Sequence, residues 1–280
     1  MTVEMLESFL GAQLKLLPKS LQRLFFSFCN NRPGKFPFSN TFKTNALPCG
    51  PGSSIGGVYP TICFINHSCV PNCHNSWNSD AEHETIYAIR PIKEGEEITI
   101  PYNNSAPSAA RRASLKQSFG FSCKCSGCDV TPAEQEASDA RRLQINKLDD
   151  EIGNPYRFAK NPRSCLKDCH SLLQLLKEEF TGYAGVLNAR AYYDAFQVCI
   201  AHGDQARAKA CAERAYKARV MCEGENSPET RSMKALSLRP ANHASFELCS
   251  IRWRTRREMV PKGLNEEEFD IWLFRLEAGV

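Results

Sequence analysis

Three thiols fall within six residues in Cys123-Lys124-Cys125-Ser126-Gly127-Cys128, a CxCxxC spacing. Thiolate sulfur ligates tetrahedral zinc, and a closed structural site takes four protein ligands, so the triplet is one ligand short. Lys124 and Ser126 are poor neighbours for packed thiols, which favours ligands over inert core cysteines, and Gly127 lets the backbone turn around a central atom. A fourth sulfur must come from elsewhere. The stretch NHSCVPNC, Asn66 to Cys73, offers two: Cys69 is the best candidate, with Cys73 as its competitor.

These groups have to be held by ordinary elements. Val3, Leu6, Leu10, Leu14 and Leu17 recur at helical spacing up to Pro18, and Leu21, Leu24, Phe25 and Phe28 continue the pattern beyond it. Residues 31–57, rich in Pro, Gly, Ser and Asn, read as loop. Between Val58 and Tyr102 the signals turn to β. The run from His83 to Ile89 alternates, and a turn at Asn78-Ser79-Asp80 pairs it with residues around His74 to Trp77. Lys93-Glu94-Gly95 precedes a short strand at Ile98-Thr99-Ile100, giving a small antiparallel region.

After Asp129 the chain reads as helical. Thr131 and Glu134 spell a capping box with Pro132 at the first helical position. Leu166, Cys169, Leu173, Leu176 and Phe180 make an apolar face that Gly182 ends. Gly203 suits a left-handed C-cap and Asp204 an N-cap, so the helices on either side fold back as a hairpin, with Ala208, Cys211, Ala215, Ala218 and Cys222 as a small-residue seam. That hairpin resembles a tetratricopeptide-type unit.

The 280 residues, 42% apolar, are enough for one large domain or two ordinary ones. A net charge of +4, spread along the chain, falls short of the clustered basic stripe of a dedicated nucleic-acid binder; Arg252, Arg254, Arg256 and Arg257 read as a solvated face. The first 20 residues carry acidic Glu4 and Glu7 and no signal-peptide pattern, and no apolar run is long enough to span a membrane. The 14 cysteines are therefore expected in a reducing compartment, nucleus or cytoplasm, where clustered thiols read as metal ligands.

Asn66-His67-Ser68-Cys69-Val70-Pro71-Asn72, then GEExxxxY from Gly95 to Tyr102, then Phe119-Gly120-Phe121 leading into the cysteine triplet, resembles the SET-domain protein-lysine methyltransferases in order and spacing. The helical half is similar, more weakly, to the tail of the SET-and-MYND group and its fungal relatives. The resemblance implies an α+β fold: inserted helices over 1–57, a partial SET β-core over 58–118 with the NHSC pseudoknot, a zinc-binding post-SET segment over 119–130, and a helical region over 131–280. It implies that Tyr102 is catalytic, that Asn45, Asn66, His67 and Phe121 hold S-adenosylmethionine, that Phe119 lines a lysine channel, and that Cys69 joins Cys123, Cys125 and Cys128 on a structural zinc. The implied partner is a protein with a target lysine, histone or not, with no sequence-specific nucleic-acid binding. Family members begin with strands carrying a GxG turn at the donor; here only Gly11 precedes Gly34, and only Cys29 and Cys49 precede Ile55, so no MYND finger is expected. An inactive, zinc-stabilised interaction scaffold is the alternative.

Overall fold

A computed structural model describes residues 2–103 and 106–277; the described residues divide into two compact units, those up to Ile86 with those from Ile92 to Val130, and Tyr87–Pro91 with those from Thr131 onward. Among the described residues helices dominate, with short strands confined to the N-terminal half, an α+β composition.

The first unit opens on helix α1 (Val3–Leu16), where the Thr2 hydroxyl accepts the Met5 N–H, and continues with α2 (Lys19–Ser27). Pro18 separates them because the residue before a proline is pushed out of the helical region, and Leu17 is extended there. Leu14, Phe25 and Phe28 form a small core with Phe38 and Val58. Phe38 lies in α3 (Pro37–Asn45), a helix inside the stretch that composition reads as loop. Its N-cap residue, Phe36, has no capping side chain. Instead the Glu7 carboxylate, on α1, accepts the N–H groups of Phe38 at 3.0 Å and Ser39 at 2.7 Å. Against the opposing effect of burial, these bonds hold the Glu7 carboxyl below its usual range.

The strands follow as β1 (Leu47–Pro48), β2 (Gly56–Gly57), β3 (Asn66–His67), β4 (Cys73–Asn78), β5 (His83–Ala88) and β6 (Thr99–Ile100). β1 pairs with β2 antiparallel, and β4 with β5 across the expected turn, where the Asn78 side chain accepts the N–H groups of Asp80 and Ala81. The three pairs form separate two-stranded sheets, and the region is not uniformly antiparallel as expected: β3 runs parallel to β6, with Asn66 opposite Thr99 and His67 opposite Ile100. Helix α4 (Ser108–Phe119) then ends on Gly120, left-handed at φ 78°.

The second unit contains α5 (Pro132–Ile152), α6 (Pro155–Lys160), α7 (Pro162–Glu179), α8 (Val186–Ala201), α9 (Gln205–Glu223), α10 (Pro228–Leu238) and α11 (Glu266–Leu273). The Thr131–Glu134 capping box is present in both directions. Leu166, Cys169, Leu173 and Leu176 of α7 join Ala195, Phe196 and Cys199 of α8 and Ala208, Cys211 and Ala215 of α9 in one core. Each buried Leu or Phe contributes about 1.5–3 kcal/mol. Alanines along the α8–α9 contact let the helices approach closely. Gly203, at φ 85°, turns α8 into α9, and its missing Cβ leaves room for the Arg254 backbone 3.3 Å from that position. In the basic run, Arg254 pairs with Glu247 and Arg257 with Glu258, a solvated arrangement.

Asp204, fully buried, caps α9 and also accepts hydrogen bonds from the Arg207 guanidinium at 3.0 Å, the Thr255 hydroxyl at 2.7 Å, and Arg275. Each arginine lies over an indole, Arg207 over Trp272 and Arg275 over Trp253. One carboxylate thus ties the segments around 255 and 275 to the α8–α9 turn. Asp204→Ala leaves two partly buried guanidinium groups unpaired and is expected to cost about 3–5 kcal/mol, read as a lower urea midpoint; an unchanged midpoint would contradict this bonding scheme.

Candidate functional site

The NHSCVPN stretch is pinned by its last residue. Asn72 is 1% exposed; its amide donates to the Glu97 carbonyl at 2.8 Å and the Glu96 carboxylate at 3.1 Å, while its Oδ1 accepts the Thr99 N–H at 2.8 Å. All three partners lie in the GEExxxxY stretch, so Asn72 clamps the two segments and keeps β3 beside β6. Ser68 N–H extends that pairing to the Ile100 carbonyl. Gly95, left-handed at φ 78°, makes the turn that presents Glu96 and Glu97.

With the segments clamped, Cys69 meets the triplet. The Sγ atoms of Cys69, Cys123, Cys125 and Cys128 all lie within 4.8 Å of one another, and Cys69 and Cys128 are 3.6 Å apart. Zn–S bonds of about 2.3 Å in a tetrahedron require S···S edges near ~3.8 Å, so the cluster fits zinc. Cys73, the alternative fourth ligand, is buried elsewhere. Backbone N–H groups are aimed at the sulfurs as a thiolate cluster needs: Cys69 N–H at Cys125 Sγ, 3.3 Å, and Cys125 N–H at Cys123 Sγ, 3.5 Å. Hydrogen bonds from Cys128 and Cys69 hold the Cys125 thiol far below its ordinary value, while those to Cys125 and Cys128 push Cys69 above its own. Gly127 matters for room as well as freedom, since a Cβ there would press on Val70 at 3.3 Å. Against the effect of burial, the Cys69 and Cys128 sulfurs favour the charged guanidinium of Arg111, in α4, a residue that no sequence motif marked.

Beside the sulfurs lies a chain of rings. His67 is 5.4 Å from Tyr102 and 6.2 Å from Phe121; Phe119 is 4.8 Å from Tyr102 and 6.4 Å from Phe121. Gly120 allows this placement of two phenylalanines, since the reversal at the end of α4 brings Phe121 back alongside Phe119. His67 Nδ1 accepts the Tyr102 backbone N–H at 2.9 Å, which puts the ring proton on Nε2, 3.3 Å from Cys69 Sγ. Burial chiefly, with Arg111 adding, pushes the imidazole below its ordinary value, in keeping with a neutral ring. The Tyr102 hydroxyl donates to the Ile65 carbonyl at 2.6 Å, and burial raises its pKa, so the phenol is neutral.

The two asparagines sit differently. Asn66 is exposed and donates to Glu97 at 2.6 Å. Asn45, at the end of α3, spends both amide hydrogens on backbone carbonyls, Cys29 and Thr41, each at 2.7 Å, leaving its Oδ1 to meet anything else. Cys63 donates to the Asn45 carbonyl at 3.4 Å.

Residues 12–103 match the SET domain family model. Histone-lysine N-methyltransferase set5 of Schizosaccharomyces pombe is 32% identical over 232 residues, 82% of this chain and 71% of that protein. Histone-lysine N-methyltransferase SET5 of Saccharomyces cerevisiae is 36% identical over 103 residues, and histone-lysine N-methyltransferase SMYD3 of Homo sapiens 41% over 75; these alignments cover 34% and 26% of the chain but 19% and 17% of those proteins.

The ligand set has a direct check. Purified protein is expected to carry one zinc; Cys125→Ser should lower the content below one equivalent, whereas Cys73→Ala should leave it unchanged. A zinc loss in Cys73→Ala with full retention in Cys125→Ser would reverse the assignment.

Proposed function

The chain belongs to the SET-domain lysine methyltransferases, within the SET-and-MYND-like group, and on that premise we propose that it is an S-adenosylmethionine-dependent protein-lysine N-methyltransferase with a structural zinc. The observation that carries this reading is the convergence of His67, Tyr102, Phe119 and Phe121 beside the four-sulfur cluster. The residues suit the donor chemically: half-buried Phe121 is a stacking surface for adenine, exposed Asn66 and the main chain of Asn66 and His67 offer polar groups, and Asn45 retains an acceptor oxygen.

When bound, S-adenosylmethionine supplies an electrophilic methyl on a sulfonium sulfur. The protein must then present a neutral amine in line with that methyl, and its own residues can do so. Phe119 and Tyr102 form apolar walls that desolvate an incoming lysine ammonium, which lowers its pKa and favours release of a proton. The neutral Tyr102 oxygen keeps its lone pairs free, because its own proton is given to Ile65; those lone pairs can receive weak C–H···O contacts and help fix direction. Cys69, Cys123, Cys125 and Cys128 would hold zinc, and through it these four residues would tie the segment bearing Phe119 and Phe121 to the turn bearing His67.

The substrate is read as a protein lysine, on a histone or another protein, reached in the nucleus or cytoplasm; the relatives' names point to histones. No helix among the described residues is long and apolar enough to cross a membrane.

Tyr102→Phe is expected to lower methyl transfer to histone substrates by roughly 100-fold or more while calorimetry still records donor binding. Absence of any S-adenosylmethionine affinity in the folded, zinc-loaded protein would overturn the enzymatic reading.

A further inference from the structure

Arg111 is 2% exposed, and burying a guanidinium costs several kcal/mol unless a negative group compensates it. Among the described residues no carboxylate pairs with it. Its Nη1 donates to the Ala106 carbonyl at 2.6 Å, its Nε has no partner, and the groups that favour its charge are the sulfurs of Cys69 and Cys128. Neutral thiols would be poor compensation. Four thiolates around a divalent ion carry a net charge of 4 − 2, or two negative units, and would be excellent compensation for a buried cation.

We propose that Arg111 is the built-in counter-charge of the zinc–tetrathiolate centre, a positioning residue that, with the Nε2–H of His67, forms the donor shell around Cys69 and Cys128. The assignment rests on the zinc reading of the four cysteines. It also gives α4 a task at both ends. Arg111 fastens the first half of the helix to the metal centre, while Phe119 closes the other end against Tyr102. Metal loading is thereby transmitted to the aromatic wall through a rigid helix as well as along the chain from Cys123 to Phe121. His67 makes the second link: one nitrogen faces the Cys69 sulfur and the other holds the Tyr102 main chain. Partners of this kind orient the ligands and tune the metal they bind.

The test compares Arg111→Met, similar in length but uncharged, with Arg111→Lys, which keeps the charge and loses the planar fork. In chelator competition, Arg111→Met is expected to bind zinc roughly 10- to 100-fold more weakly than the parent, with Arg111→Lys in between. With Co2+ in place of zinc, the sulfur-to-metal charge-transfer band of Arg111→Met should move to longer wavelength, because sulfurs relieved of a cationic donor give up electrons more easily. A purely packing role would leave that band in place. Zinc affinity of Arg111→Met within about twofold of the parent, with an unmoved band, overturns the proposal. Should Arg111→Met not fold, Arg111→Gln against Arg111→Lys carries the same reading, and equal zinc affinity in that pair overturns it. A parent protein that holds no zinc at all refutes the cysteine assignment itself, a separate failure from that of Arg111.

Discussion

Four sulfurs from two distant parts of the chain have to stay within bonding reach of a single point, and the N-terminal unit is arranged around that requirement. Cys69 and Cys128 are 59 residues apart in sequence. Closing such a loop costs conformational entropy, and the cost rises only slowly with length, so a metal that binds only the closed form recovers it in one step. Strands of two residues, such as β3 and β6, could not hold this closure by backbone pairing alone. Asn72 therefore matters as much as the thiols. It supplies, from one buried side chain, the cross-links that a longer sheet would otherwise provide.

The density of polar groups in NHSCVPN follows from that arrangement. Asn66 pairs with Glu97, His67 lies against Tyr102, and Cys69, two residues on, faces the sulfur cluster. The imidazole is the hinge of this arrangement: its tautomer is set by a main-chain donor on one side, so its other nitrogen can only donate to sulfur. A lysine methyltransferase of this type asks little acid–base chemistry of its side chains, and the neutral states of His67 and Tyr102 agree with a site that works by shape, desolvation and alignment.

What could be read from the sequence was local. The Thr131–Glu134 cap, the Gly203–Asp204 turn and the apolar face of α7 are each encoded within a few residues, and each appears in the structure. The site residues were nameable because the spacing of NHSC, GEExxxxY and CxCxxC resembles a known family, whereas chemistry alone left Cys69 and Cys73 competing. The misreadings were non-local. Helix α3 has no cap in its own sequence because Glu7, 31 residues upstream of Phe38, provides it. The parallel pairing of β3 with β6 depends on Asn72 reaching across 27 positions to Thr99. Arg111 looks like any surface arginine until the sulfurs are placed beside it.

The bond from the Tyr102 hydroxyl to the Ile65 carbonyl has a bearing on directionality. A phenolic hydroxyl in solution spins about its C–O axis and shows either pole to its surroundings. Parking the hydrogen on a main-chain oxygen stops that rotor and leaves only the electron-rich pole turned outward. The oxygen becomes a one-signed electrode, receptive to polarised hydrogens and unable to hand over its own, so a competing nucleophile or leaving group finds no proton there.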